Sequence, residues 1–290
     1  MSDRAAADDP ICLFLTCIYA YPELLYIQQA CWKRFLKQNF QFLVVDDSED
    51  PSVAPEIKAI CSELGYIYLR CPAHSGIRGS SPSFRHAAAL NYGWKAALRY
   101  LEETPSIQYI GTLDTDLFPV SPIDIEAEFE TAYDCVAAQA KAESVVHLWP
   151  GFALFRKDQE GVIRIEEIRW DLVEGTDTGG ATSLYLSNTE QPVRVSFVDF
   201  HLGIHREEFL NHARESLPAP LISFCEEDIR VASTYSARWF SDCLVTRRRS
   251  VLFHLRNVSN WSQNSVEYQF YRMVRFETAI RAVLALGPSP

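Results

Sequence analysis

The stretch YIGTLDTDLFPVSP, Tyr109 to Pro122, carries two carboxylates one residue apart, Asp114 and Asp116, directly after an apolar run. Like charges this close at the mouth of a buried strand have three resolutions: one protonates, a base pairs with them, or a cation binds. The apolar run supplies no basic residue of its own. A hard divalent ion, Mg2+ or Mn2+, suits carboxylate oxygens and bridges to the phosphate oxygens of a ligand. A solvated Asp-x-Asp turn at a strand end is the plainer reading of the tripeptide alone. A second acidic pair, Asp46-Asp47, closes the run FQFLVVDD.

These carboxylates need a frame, and the residues around them supply one. ICLFLTCIY, Ile11 to Tyr19, is a continuous apolar run, as expected of a strand buried on both faces. After Pro22, apolar residues recur at helical spacing, with Leu25, Ala30, Trp32, Phe35 and Leu36 on one broad face. Phe40 to Val45 reads as a second strand, Ala54 to Leu64 as a helix stopped by Gly65, and YIYLRC as a third strand. This βαβαβ order predicts a parallel sheet with covering helices. The loop PAHSGIRGSSPSF leads into the helix RHAAALNYGWKAALRYLEE, and IQYIGTLDTD is the fourth strand. Ligands of open parallel sheets bind beyond the carboxyl ends of the strands, so Asp46, Asp47, Asp114 and Asp116 are expected to share one cleft.

The second half is less regular. YDCVAAQA, PGFALFR, VRVSFVDF and VLFHLR read as strands, and DTGGATSLYLSN as a helix opening at Asp177. The last element, SVEYQFYRMVRFETAIRAVLAL, is a long amphipathic helix stopped by Gly287-Pro288. No repeat or long linker interrupts the chain, so a single α/β domain over residues 1–290 is expected.

Composition narrows the partners. The 290 residues are 48% hydrophobic and carry a net charge of −11, which argues against a nucleic-acid backbone or an anionic membrane as the main partner. None of the eight cysteines forms a CxxC pair, so free thiols in a reducing compartment are expected. The amino terminus, MSDRAAADDP, lacks the pattern of a signal peptide, and no apolar run reaches a membrane-spanning length. A cytoplasmic location follows as an expectation.

The order of strand, helix, strand ending VVDDSED, Gly-rich loop, helix and strand ending LDTD resembles the GT-A family of nucleotide-sugar-dependent glycosyltransferases, members of family 2 in particular. The helix carries AALNYG, Ala88 to Gly93, like the family's Ala-x-Asn-x-Gly pattern, and Asp114-Thr115-Asp116 matches its DxD motif. The likeness is strong over residues 10–120 and traceable to about residue 262. It implies a GT-A, Rossmann-like fold: a mixed, mainly parallel sheet flanked by helices, with the amphipathic C-terminal helix at its end. Residues 10–120 would form the nucleotide-sugar half, 121–265 the acceptor half, and 266–286 that helix.

The resemblance also implies roles. The metal, Mn2+ or Mg2+, would rest on Asp114, Asp116 and the late His254, with Asn257 to Trp261 forming a flap. A lone His in an apolar strand is equally a structural residue. Thr16 and Tyr19 would meet the base or ribose, and Asp47 or Asp46 would accept a hydrogen bond from the same groups. Arg78, Arg85 and Asn91 would pass beneath the donor, where arginine is a natural diphosphate partner. On the acceptor side stand Trp149, whose ring would stack on a sugar face, then Gly151, Glu227 and Asp228. Asp177 would be the catalytic base, although Asp is also a good N-cap. The cluster Glu226-Glu227-Asp228 is the rival base, and Arg238-Trp239 faintly resembles processive synthases. The function implied is metal-dependent sugar transfer to an acceptor hydroxyl on a glycan, lipid-linked or protein-linked molecule, inverting if Asp177 is the base. A non-catalytic nucleotide-sugar or glycan-binding module is the alternative. A nucleotidyltransferase is disfavoured, because TCIYAYPELL lacks the Gly-rich basic loop such enzymes place after the first strand.

Overall fold

A computed structural model describes residues 11–72, 82–129, 134–142, 145–157, 164–187, 192–202, 205–232, 243–247, 250–255 and 265–286. Along the chain come β1 (Cys12–Ile18), α1 (Leu24–Phe35), β2 (Phe40–Asp46), α2 (Ala54–Leu64), β3 (Ile67–Arg70), α3 (Pro82–Glu103), β4 (Tyr109–Leu113) and β5 (Leu117–Pro119). There follow α4 (Ile125–Phe129), β6 (Cys135–Ala142), β7 (Val145–Arg156), α5 (Thr182–Leu186), β8 (Val195–Leu202), α6 (Arg206–Ser216), α7 (Ala219–Ala232), β9 (Cys243–Arg247), β10 (Ser250–His254) and α8 (Val266–Ala285). The chain divides into two compact units. The first holds residues 1–22, 37–115 and 124–198, and the second holds 23–36, 116–123 and 199–290.

The first unit is a mixed α/β layer structure. Its seven strands run in the order β3-β2-β1-β4-β7-β6-β8, and the pairings β3–β2, β2–β1, β1–β4 and β6–β8 are parallel. Only β7 runs against its neighbours β4 and β6. The continuous apolar runs of β1 and β2 are explained by cover on both faces. Leu13, Leu15, Leu43 and Val45 pack with Ala89, Leu90, Trp94 and Ala97 of α3. Phe14 and Phe42 pack at tilted or edge-on angles with Phe40 and Tyr66 in an aromatic cluster of their own. Gly93 brings α3 down onto the sheet: a Cβ there would stand 2.4 Å from Val45 Cγ2 and 2.6 Å from Leu15 Cδ1, closer than any real contact. Trp94, Phe155 and Trp170 complete this core edge to face, and the Trp94 indole donates to the Ile165 carbonyl at 2.9 Å.

In the second unit, the later half of β8 begins an antiparallel set, β8-β9-β10-β5. Phe118 of β5 and Phe253 of β10 pack on Phe276 of α8, with centroids 4.9 and 5.9 Å apart. Pro119 lies on β5 at the end of the order, where its missing N–H costs no ladder bond. Tyr268 and Arg272 of α8 bond the buried Asp228 of α7 at 2.9 and 2.8 Å. The expected long C-terminal helix is present, and it is anchored by this ion pair as well as by its apolar face.

Three local expectations are corrected. The helix expected to open at Asp177 begins at Thr182; residues 178–181 form turns first. The strand expected from Pro150 starts five residues earlier, so His147 and Trp149 lie on β7 and not in a turn before it. Residues 206–232, which show no strong pattern in the sequence, fold as α6 and α7. Among the described residues, seven cysteines carry free thiols. None of the described helices is long and apolar enough to cross a membrane.

Candidate functional site

β4 stops at Leu113, and the next residue is held by the antiparallel neighbour: the Asp114 N–H donates to the Gly151 carbonyl at 3.0 Å. Gly151 is required there by close approach. A Cβ would stand 2.5 Å from Asp114 Oδ2 and 2.1 Å from Trp149 Cζ2. The missing side chain is therefore the room in which the Asp114 carboxylate and the Trp149 ring sit. Thr115, between the two acids, faces inward. Its hydroxyl donates to the Cys17 carbonyl at 2.6 Å and lies 3.1 Å from the Thr16 hydroxyl.

Asp116 and His254 meet across the β5–β10 pairing. His254 stands opposite Leu117, the Leu255 N–H donates to the Asp116 carbonyl at 2.9 Å, and His254 Nε2 lies 3.0 Å from Asp116 Oδ1. Asp116 is 9% exposed and His254 5%. Ligand atoms of Asp114, Asp116 and His254 all lie within 4.8 Å of one another. Two carboxylates and one imidazole that can stay neutral form a donor set fit for Mn2+ or Mg2+. Such a cluster can bind a divalent metal.

The other strand-end pair is arranged differently. Asp46 is fully buried, and its carboxylate accepts from the Ser48 N–H at 2.9 Å, from the Tyr68 hydroxyl at 2.8 Å and from the Arg70 guanidinium. The protein's own donors occupy both of its oxygens. Asp47 lies 3.4 Å from Arg85 Nε, while Arg85 Nη1 bonds Glu49 at 2.6 Å. The same guanidinium lies over the Tyr19 ring, 4.8 Å from its centroid. Burial lifts the Asp47 carboxyl to about 6, against the pull of Arg85 and His86.

Several residues expected at ligands also make bonds that hold the frame. Thr16 is fully buried, and its hydroxyl lies beside that of Thr115 in the DxD tripeptide. Both ends of the Asn91 amide are occupied: it donates to Asp171 Oδ1 at 2.8 Å and accepts from the Trp170 N–H at 2.9 Å. Asn91 thus ties α3 to the segment that leads to Asp177. Glu227 and Asp228 of the expected acceptor side are engaged with partners of their own. Asp228 is 2% exposed and pairs with Arg272, and Glu227 bonds Arg230 and Tyr271. Arg230 and then Tyr271 hold the Glu227 carboxyl down at about 2. Glu226 pairs with Arg214.

Asp177 is exposed, and its carboxylate accepts the Thr178 N–H at 2.7 Å instead of capping a helix. Thr178 in turn donates to the Ser83 carbonyl at 3.0 Å. His147 is 1% exposed, and neither ring nitrogen makes a hydrogen bond of normal geometry. Burial lowers its pKa, while the Val145 backbone and the charge of Asp177 offset part of that shift. Sequence reasoning gave His147 no role. The roles of Thr115 and Gly151 it missed, although a glycine two residues after a tryptophan on an apolar strand is a signal of close approach. Arg78, the flap residues 257–261 and Arg238-Trp239 lie outside the described residues.

No protein-family model matches the chain, and no curated protein sequence does. Among solved structures, the chain is similar to a glycosyltransferase involved in the glycosylation of the major capsid of PBCV-1. That likeness has 14% identity, covers 66% of this chain and 82% of the other, and has a TM-score of 0.33. It is also similar to the galactosyltransferase LgtC in complex with donor and acceptor sugar analogs. There the identity is 13%, the coverage 60% and 70%, and the TM-score 0.37.

Proposed function

We propose that this chain is a metal-dependent GT-A glycosyltransferase that moves a sugar from a nucleoside-diphosphate donor to an acceptor hydroxyl. The observation that carries this reading is the ligand set of Asp114, Asp116 and His254 beyond the carboxyl end of a buried parallel-sheet strand. In open parallel sheets that edge is where ligands bind.

Asp114, Asp116 and His254 would hold Mn2+ or Mg2+, which when bound supplies Lewis-acid neutralisation of the departing diphosphate, worth several kcal/mol. The protein's own groups do the rest. Tyr19, Arg85 and Asp47 form a plane, a cation and a carboxylate suited to a nucleotide, with Arg85 already placed over Tyr19. Trp149, half-buried beside Gly151, offers an aromatic face to a sugar. Asp177, exposed and fixed by its own turn, takes the proton from the acceptor hydroxyl, and a single displacement then inverts the anomeric centre.

The test is thermal unfolding against UDP-, GDP- and dTDP-sugars, with CMP-sugars as the monophosphate comparison, with and without Mn2+. A shift of several degrees with one donor, present only with metal, supports the reading, since ligands that bind the native state stabilise it. No shift with any donor removes it. The base is tested separately. Asp177→Asn is expected to lower transfer by about 10² to 10⁴ and leave the donor-induced shift intact. Normal turnover by that variant removes Asp177 from the mechanism. Donor binding without transfer or donor hydrolysis in the unaltered protein would instead indicate a binding module.

A further inference from the structure

Far along the chain from the DxD tripeptide, a second group of ligating side chains comes together inside the second unit. His201 lies near the end of β8, and Glu208 and His212 lie on α6. Glu208 and His212 are four residues apart, so both project from one helix face. Ligand atoms of the three lie within 4.8 Å of one another. The two imidazoles stack with centroids 3.7 Å apart and planes 30° from parallel. Both histidines are half-buried, and Glu208 is exposed.

We propose that His201, Glu208 and His212 form a metal site for a borderline transition ion of the Zn2+ class, fastening α6 to β8. The donor set is the argument. Two imidazoles and one carboxylate match the ligand chemistry of Zn2+, Ni2+ or Co2+, whereas the oxygen-rich set at Asp114 and Asp116 suits Mn2+ or Mg2+. Bonds of about 2.0–2.2 Å to a tetrahedral ion separate its ligand atoms by roughly 3.4 Å, so small ring rotations close the group. Those rotations must open the stacked rings beyond 30° so that both lone pairs converge. Glu208 is exposed, so solvent reaches the group and would supply a fourth ligand. The site is independent of the glycosyltransferase reading, because none of its residues takes part in that chemistry.

The experiment uses the full chain, free of any histidine tag and stripped with EDTA. Zn2+ affinity is measured by competition with a chromophoric chelator, and Co2+ loading by visible absorption. One tightly held equivalent is expected. Affinity should fall at least tenfold in His212→Asn and His201→Asn and persist in Asp116→Asn. Circular dichroism checks the fold, and Glu208→Gln, on the exposed side, provides a variant with little risk to it. Bound Co2+ should show tetrahedral nitrogen and oxygen ligation without a thiolate charge-transfer band. The proposal is overturned if no equivalent resists the chelator, if His212→Asn and Glu208→Gln bind as the unaltered protein does, or if the cobalt spectrum reports cysteine ligation.

Discussion

Two strand ends in this molecule carry a pair of acids, and the protein treats them in opposite ways. At the end of β2, Asp46 is enclosed by Arg70, Tyr68 and the Ser48 amide, and Asp47 stands by Arg85. At the end of β4, Asp116 meets the imidazole of His254. A guanidinium is charged at every accessible pH and cannot bind a metal, so it closes a carboxylate off. An imidazole can be neutral and can share an ion with its neighbours. The first pair therefore serves the fold, with Asp47 at its edge, and the second is suited to a cation.

The sharpest way to break this contrast is Asp116→Asn. Transfer is expected to fall by at least about 10³, the rate equivalent of several kcal/mol of Lewis-acid help, with melting temperature unchanged or raised. A variant that melts early but turns over normally when folded would make Asp116 structural. The mirror experiment is Arg70→Ala. It leaves Asp46 buried beside only neutral donors and should cost about 3 kcal/mol in urea unfolding, the low end for a broken buried pair because the Arg70 side chain is 40% exposed. A loss below about 1 kcal/mol would mean that Tyr68 and the Ser48 amide suffice.

Asp47 sharpens the comparison through pH. Its carboxyl titrates at about 6 in the folded chain, above the ordinary value of roughly 3.9. The folded state then holds this proton to higher pH than the unfolded chain does. Its stabilising contribution is complete below pH ~4 and is lost as pH rises through ~6, roughly 2–3 kcal/mol in all. Asp47→Asn should lack this component, so the difference in unfolding free energy between variant and parent should shift in favour of the variant between pH 4 and 7. Parallel pH profiles for the two proteins would refute the shift. The smallest effect is expected from Gly151→Ala, about 1–2 kcal/mol of overpacking. Its added methyl meets Asp114 and Trp149, so weaker Mn2+ binding should accompany it, and unchanged metal affinity would show that the carboxylate moves aside freely.

The frame around these sites was largely legible in the sequence. The apolar runs of β1, β2 and β4 and the periodic face of α3 have lengths and spacings that few other elements share. What was not legible depends on contacts distant in sequence. Nothing around Asp228 announces Arg272, 44 residues later, so an acidic cluster that read as a possible base became the anchor of α8. The resemblance places Thr16 and Asn91 in the neighbourhood of the donor but does not specify their bonds to Thr115, Asp171 and the Trp170 amide. Residues 178–181 fold as turns because the Gly179 and Ala181 N–H groups bond back to the Trp170 and Asp171 carbonyls, a closure that a cap-like Asp177 concealed.

In mechanical terms α3 is a strut fixed at two points. Gly93 seats it against β1 and β2, and two residues earlier the Asn91 amide bolts it to Trp170 and Asp171. The segment from there to Ala181 has almost no regular structure of its own, yet both of its ends are tied to that strut or to each other. Asp177 thus rides on a loop that borrows its stiffness from the sheet, as a gauge mounted on a beam keeps its zero while softer parts of the machine move.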